Sequence, residues 1–379
     1  MHLEYPNKKK VSEILTKPIS VHLKKTNNIT STNKLLIGDN YQVMRCMLDD
    51  LNMASKVNMV YIDPPFSTNT VFRISEDRAN TISSSNEDKT AYEDTLKGSE
   101  FIEFLRERVI LLRELMSETG SFYLHIDYKI GHYVKVMLDE IFGVENFRND
   151  ITRIKCNPKN FKRKAYGNIK DLILFYTKSK DYIWNEPKVL LSENDIDKLF
   201  KKIDHKGRRY TTVPIHAPGE TANGPTGKPW KGMEPPKGRH WRCSPEELEQ
   251  LDEKGLIEWS KTGNPRRIIY ADEKIENGKK LQDIWEYKDP QYPDYPTQKN
   301  RELLDLIIST SSNEGDLVMD CFVGSGTTIV SANELRRNWI GIDKSKEAIE
   351  VTVKRLTKTK TSSLFNSNMP YEIYNLENS

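Results

Sequence analysis

Cysteine is scarce in this 379-residue chain: Cys46, Cys156, Cys243 and Cys321 are its four, and none lies near another in sequence. That spacing excludes a disulfide framework and a thiolate zinc site. The seven histidines are equally dispersed and point to no metal centre. Long apolar runs are missing as well. No stretch approaches the ~20 residues that a membrane-spanning helix needs. Residues 1–13 are charged and lack the apolar core of a signal peptide. The expectation is a cytoplasmic protein with no membrane partner.

Net charge is small, +3, but it is unevenly placed. Residues 151–240 hold 20 Lys and Arg against 9 Asp and Glu, a surplus of +11 that leaves −8 for the remainder. Phosphate binding needs local positive charge. A basic run alone is more often a solvated surface. Here Phe161, Tyr166, Tyr210, Trp230 and Trp241 interleave with the cations, which turns the reading towards nucleic acid. Lys162, Arg163, Lys164, Arg208 and Arg209 are the candidate phosphate contacts.

Apolar periodicity predicts strands over 34–37, 57–62, 121–126, 151–154, 172–176, 317–322 and 339–342. Helices are predicted between them, among them 41–53, 100–118, 129–142, 301–309, 327–335 and 344–356. Seven strands alternating with helices imply an α/β sheet covered on both faces. Residues 67–97 are polar and read as a long loop. Residues 1–30 read as an N-terminal arm, 31–180 as a first half-domain and 181–290 as an irregular insertion rich in Pro, Gly and basic residues. Residues 291–356 read as the second half-domain, and 357–379 as a polar, frayed tail.

Two local patterns carry chemistry. Asp63-Pro64-Pro65-Phe66 follows the apolar strand 57–62. Asp63 can accept a hydrogen bond from an exocyclic amine, and the Pro64 carbonyl can accept a second. The prolines stiffen the loop and remove competing N–H donors. Phe66 offers a flat face to a base. The second pattern is Gly324-Ser325-Gly326-Thr327, after the strand that ends in Phe322. Glycines permit a sharp turn and close approach of a ligand to the main chain. The helix that follows presents free N–H groups. Asp343, at the end of the next strand, can accept both ribose hydroxyls of a nucleoside. Ile329 stands where a dinucleotide fingerprint would place its third glycine, which disfavours a pyrophosphate cofactor.

These residues resemble the β-class of DNA amino-methyltransferases, including the modification subunits of type III systems. The resemblance runs from about Lys34 to Leu356. It implies a circularly permuted, Rossmann-like methyltransferase sheet with an inserted target-recognition region, and S-adenosylmethionine as cofactor. Asp63 to Phe66 then form the catalytic loop, with Asp63 also bordering the cofactor. Phe322, Gly324, Ser325, Gly326 and Thr327 form the cofactor turn, and Asp343 the ribose carboxylate. Asp39, after Gly38, would accept the cofactor's adenine amino group. Thr297 and Lys299 would approach its methionine carboxylate. Cys321 replaces a common proline and Phe66 a common tyrosine, and both keep the required shape.

The resemblance implies methyl transfer to N6 of an adenine flipped out of double-stranded DNA. A restriction endonuclease and a homodimer are the candidate protein assemblies. Cytosine-N4 methylation is the enzymatic alternative, because the same loop serves both amines. A catalytically silent nucleic-acid-binding subunit is the alternative from another class.

Overall fold

Short runs rich in Val, Ile, Leu and Met recur along the chain, and they find their partners in one sheet. The computed structural model describes residues 2–65, 71–74, 79–80, 89–93, 98–158, 164, 166–189, 191–221, 223–290, 298–362 and 369–378. The chain divides into two compact units, Met1–Glu186 with Gln282–Ser379, and Pro187–Leu281.

The first unit is built on a ten-stranded sheet. In chain order its strands are β1 (Val21–Lys25), β2 (Asn33–Ile37), β3 (Val57–Ile62), β4 (Met116–Ile126) and β5 (Phe147–Ile154). They continue as β6 (Lys170–Thr177), β7 (Ile284–Glu286), β8 (Leu317–Asp320), β9 (Asn338–Asp343) and β10 (Tyr371–Asn378). Their spatial order is β1-β10-β2-β9-β8-β3-β4-β6-β5-β7. The block from β10 to β4 is parallel throughout. Strand β6 runs antiparallel to both β4 and β5. Late strands thus interleave with early ones: β8 pairs with β3, and β9 with β2. This is the permuted α/β sheet expected, with the second unit inserted between β6 and β7.

Parallel strands are covered on both faces, so they read as nearly continuous apolar runs. In β3 only Asn58 is less than fully buried. The covering helices are α1 (Val11–Thr16), α2 (Asn40–Asp49), α3 (Ser99–Leu115), α4 (Tyr128–Phe142), α5 (Arg301–Ser311), α6 (Thr327–Glu334) and α7 (Lys346–Ser362). Asp39, Asp127 and Asn300 accept first-turn N–H groups of α2, α4 and α5, which satisfies otherwise orphaned donors. Phe101, Leu105, Val109 and Leu112 of α3 join Val134 and Leu138 of α4 against Val60, Ile62, Phe122 and Leu124. No helix among the described residues is long and apolar enough to cross a membrane.

Several expectations need correction. Seven strands were too few. The N-terminal arm contains β1 and the tail contains β10, and these pair with each other from Val21↔Asn378 to Lys25↔Tyr374. Both strands alternate polar and apolar residues at the sheet margin, a weak local signal that only the distant partner completes. Within the predicted 67–97 loop, Val71–Ile74 pairs with Ala79–Asn80 and with Lys89–Glu93. The insertion spans Pro187–Leu281 instead of 181–290, because β7 returns to the main sheet beside β5.

The second unit is more regular than its composition implies. Its four-stranded sheet has the order Lys202–Ile203, Arg209–Pro214, Pro265–Tyr270, Ile257–Trp259. His216–Pro218 pairs separately with Arg239–Trp241. Ser244 and Glu247 form a capping box on helix Pro245–Glu253. Trp230 and Trp241 are core residues here, each 3% exposed, packed with Ile215, Leu248 and Ile257. They are therefore not the surface stacking rings that the sequence pattern implied. Tyr166, in the first unit, is 99% exposed.

Candidate active site

Strands β3, β8 and β9 are neighbours and parallel, so their C-terminal ends lie along one edge. Each delivers a carboxylate there: Asp63 just after β3, Asp320 at the end of β8, Asp343 at the end of β9. Asp320 Oδ2 accepts the Thr328 hydroxyl at 2.6 Å, and Oδ1 accepts the Phe322 N–H at 2.9 Å. Burial nevertheless pushes the Asp320 carboxyl up to about 7, against those hydrogen bonds, and Asp63 and Asp343 add to the rise. Burial raises Asp343 too, opposed by the N–H groups of Ser345, Gly324 and Lys344. Buried carboxylates such as Asp320 and Asp343, satisfied among the described residues by hydrogen bonds and not by a cation, favour positive charge beside them.

The glycine turn is tied to this edge. Gly324 and Gly326 have φ of +51° and +75°, a region that side chains other than glycine disfavour. A Cβ on Gly326 would lie 2.5 to 2.9 Å from Thr352, whereas one on Gly324 would meet nothing closer than the Phe322 carbonyl oxygen at 3.9 Å. The turn is packed below and open above. The Gly324 N–H donates to Asp343 Oδ2 at 2.8 Å. Ser325 and Thr327 are buried, and both accept from Arg355, at 3.2 and 3.0 Å. Their hydroxyls brace the turn from within.

Asp39 is drawn into the same edge, since the Gly38 N–H donates to the Asp343 carbonyl at 3.0 Å. Asp39 caps α2 through Oδ1, while Oδ2 accepts from Arg108 at 3.1 Å. Arg108 also holds Asn40 at 2.6 Å, and Asn40 donates to the Cys321 carbonyl at 2.8 Å. The half-buried Phe322 ring lies 6.2 Å from Phe104, which in turn stacks on Arg108 at 3.6 Å.

Lys299 meets the catalytic-loop candidate directly. Its Nζ lies 2.9 Å from Asp63 Oδ2. Asp63 Oδ1 is buried and has no hydrogen-bond partner. Burial works against the Lys299 charge, but Asp63, Asp289 and Asp171 outweigh burial and the opposing Arg153, so the ammonium is held above its ordinary range.

Behind this pair lies a buried polar chain that the sequence reading missed. The Tyr61 hydroxyl is 2.9 Å from His125 Nδ1, and His125 Nε2 is 3.0 Å from Asp171 Oδ2. Arg153, fully buried, donates to Asp171 at 3.3 Å and to the Tyr287 carbonyl at 2.8 Å, and also pairs with Asp289. Lys155 stands 3.9 Å from both Asp127 and Asp171. Burial alone would raise the Asp171 carboxyl; His125, Arg153 and Lys299 reverse this and hold it well below the usual carboxylate range. A signal was available for two of them: His125 and Asp171 are polar residues in strands made largely of apolar ones, where such groups are rare unless paired.

The structure therefore brings together Asp39, Asp63, Lys299, Phe322, the 324–327 turn and Asp343. Phe66, Thr297, Lys162 and Arg163 lie outside the described residues. Lys164 is exposed. Arg208 and Arg209 belong to the second unit and are engaged there, Arg208 with Asp272 at 2.9 Å and Arg209 with Asp197. Arg242 and Arg267 line a cavity of about 360 Å³ with Pro214, Ile215 and Cys243, and carry no ion pair among the described residues. Among the described residues, no group of three or more His, Cys, Asp or Glu is arranged to hold a metal.

A family profile for N6 and N4 methyltransferases, described as DNA methylase, matches residues 57–354. The type II methyltransferase M.EcaI of Enterobacter cloacae is 40% identical over 365 residues, spanning 93% of this chain and 77% of its own length. The Mod subunit of the type III restriction-modification enzyme EcoP15I of Escherichia coli is 25% identical over 372 residues, spanning 81% of this chain. The chain spans only 56% of that subunit's length. The crystal structure of the M1.HpyAVI–SAM complex shares 19% identity at a TM-score of 0.45, over 85% of this chain and 98% of that one.

Proposed function

The chain belongs to the DNA methylase family, and on that premise we propose that it is a site-specific DNA methyltransferase. It takes the methyl group from S-adenosylmethionine and places it on N6 of an adenine flipped out of duplex DNA. One observation carries the reading. Asp63 has one oxygen held by Lys299 and the other buried without a partner, at an edge where two more carboxylates cluster.

An aromatic amine is a poor nucleophile because its lone pair is delocalised into the ring. Asp63 Oδ1 accepts one amine N–H, and the Pro64 carbonyl accepts the other. Both bonds favour a more pyramidal nitrogen whose lone pair points out of the ring plane. Catalysis of this kind is positioning and electrostatics. S-adenosylmethionine, when bound, supplies a methyl group on a cationic sulfur. With its two N–H groups held by Asp63 Oδ1 and the Pro64 carbonyl, the amine would present its lone pair to that methyl group, and the proton it loses on alkylation would pass to water.

The residues present fit that cofactor. Asp320 and Asp343 beside the Asp63–Lys299 pair would gain from a cationic sulfonium and would disfavour a pyrophosphate. The open face at Gly324 lets the ligand approach the main chain. Asp343 would hold the ribose hydroxyls, and Asp39 would accept the adenine amino group with the lone pairs its cap and Arg108 leave. Extruding a base costs a few kcal/mol, offset by phosphate contacts and stacking. Arg242 and Arg267, without carboxylate partners, are better phosphate ligands than Arg208 and Arg209. A restriction-modification setting, with an endonuclease as partner, accords with what the relatives are named for.

Nucleoside analysis of duplex DNA treated with the purified chain and labelled S-adenosylmethionine tests the reading. N6-methyladenine is the expected product. N4-methylcytosine as the main product would move the assignment to the other amine, and no methylated base on any duplex would revive the silent subunit.

A further inference from the structure

We infer that Lys299 is a positioning residue for Asp63, turning one carboxylate oxygen aside so that the other faces the target amine. This rests on the proposed methyl transfer and deepens it. The ion pair occupies Oδ2 at 2.9 Å and leaves Oδ1 as the unpartnered acceptor. Both side chains are largely enclosed, at 13% and 18% exposure, so water screens the pair little.

Lys299 is itself held from behind. Asp289 and Asp171 attract its ammonium, and Arg153, a like charge, opposes it. Arg153 is locked between Asp171, Asp289 and the Tyr287 carbonyl. His125 ties Asp171 to the Tyr61 hydroxyl, two residues before Asp63 on β3. The catalytic carboxylate is thus gripped twice, by its strand through Tyr61 and by its side chain through Lys299. Asp320 is the further charged group near Asp63. A lysine serves this purpose because its compact charge holds one oxygen without forking across both.

The role differs from that implied by family resemblance, in which Lys299 meets the cofactor's methionine carboxylate. The two roles separate by experiment on the full chain. In Lys299→Met, single-turnover methyl transfer at saturating DNA and S-adenosylmethionine should fall by about 100-fold, the cost of a misplaced reacting group. The dissociation constant for S-adenosylmethionine by titration calorimetry, and KM for duplex DNA, should stay within threefold. Lys299→Arg should recover part of the rate, at unchanged cofactor affinity. Should Lys299→Met fail to fold, Lys299→Gln carries the same expectation with a smaller loss. An unchanged single-turnover rate would overturn the inference. So would a loss confined to cofactor affinity, which would assign Lys299 to the cofactor carboxylate. Wild-type chain that methylates no duplex would instead sink the proposed function.

Discussion

Replacing Arg153 with methionine tests the buried ionic chain behind the active site. The guanidinium is fully buried and is held by Asp171 at 3.3 Å, the Tyr287 carbonyl at 2.8 Å and Asp289, with His125 Nε2 at 3.5 Å. Methionine fills much of the volume but leaves Asp171, 2% exposed, with His125 at 3.0 Å and Lys155 only at 3.9 Å. Stranding a buried charge in this way costs about 3–5 kcal/mol. At roughly 2–4 °C per kcal/mol for a unit of this size, Tm should fall by about 6–20 °C. The sign with pH follows from Asp171, whose carboxyl is held below its ordinary range. A depressed carboxyl contributes stability above its unfolded value, near 4, and loses it as pH falls through the lower folded value. Without Arg153 the folded value rises, so acid unfolding should begin at higher pH. Thermal melts from pH 4 to 8 measure both effects, with exposed Lys261→Met as the reference. Adding Asp171→Asn should recover part of the loss by removing the stranded charge. A Tm within 2 °C of wild type would refute the account of Arg153 as the cation that this cluster needs.

Other outcomes follow from the same geometry. Asp63→Ala should abolish methyl transfer while cofactor binding, read by calorimetry, persists. Asp343→Ala should weaken cofactor binding by about 1–3 kcal/mol through lost charged hydrogen bonds, and equal affinity in the two variants would contradict this division. Burial raises the Asp320 carboxyl to about 7, so its contribution to stability is present below the unfolded value near 4 and lost as pH rises through 7. Melts of the cofactor-free chain between pH 5 and 8 should show that decline, and Asp320→Asn should flatten it. Replacing both Arg242 and Arg267 with alanine should lower the slope of log affinity for DNA against log salt by about two units. Arg208→Ala, whose partner is Asp272, should leave that slope nearly unchanged.

Much of the fold was legible because its signals are local. Strand β3 is an apolar run, and α3 carries Phe101, Leu105, Val109 and Leu112 on one face, so their burial follows from spacing alone. Asp63, the 324–326 turn and Asp343 were legible because each sits at a strand end, where alternation stops and special residues begin. The margins were not legible. Pairing β1 with β10 joins Val21 to Asn378, and no window of local sequence contains both.

The sequence by itself marked candidates for chemistry, because a carboxylate before two prolines and a glycine-rich turn after a strand are matters of residue type and spacing. Tertiary structure decided which of those side chains are available. Arg208 and Arg209, read as phosphate contacts, have Asp272 and Asp197 beside them in the fold. Trp230 and Trp241 read as stacking rings until they proved to be core. Asp320, Arg153 and His125 had no assigned role until strands distant in sequence set them at one edge. The physical reason is common to all of them: charge interactions and burial depend on distance through space, and the fold sets that distance between residues that the chain keeps far apart.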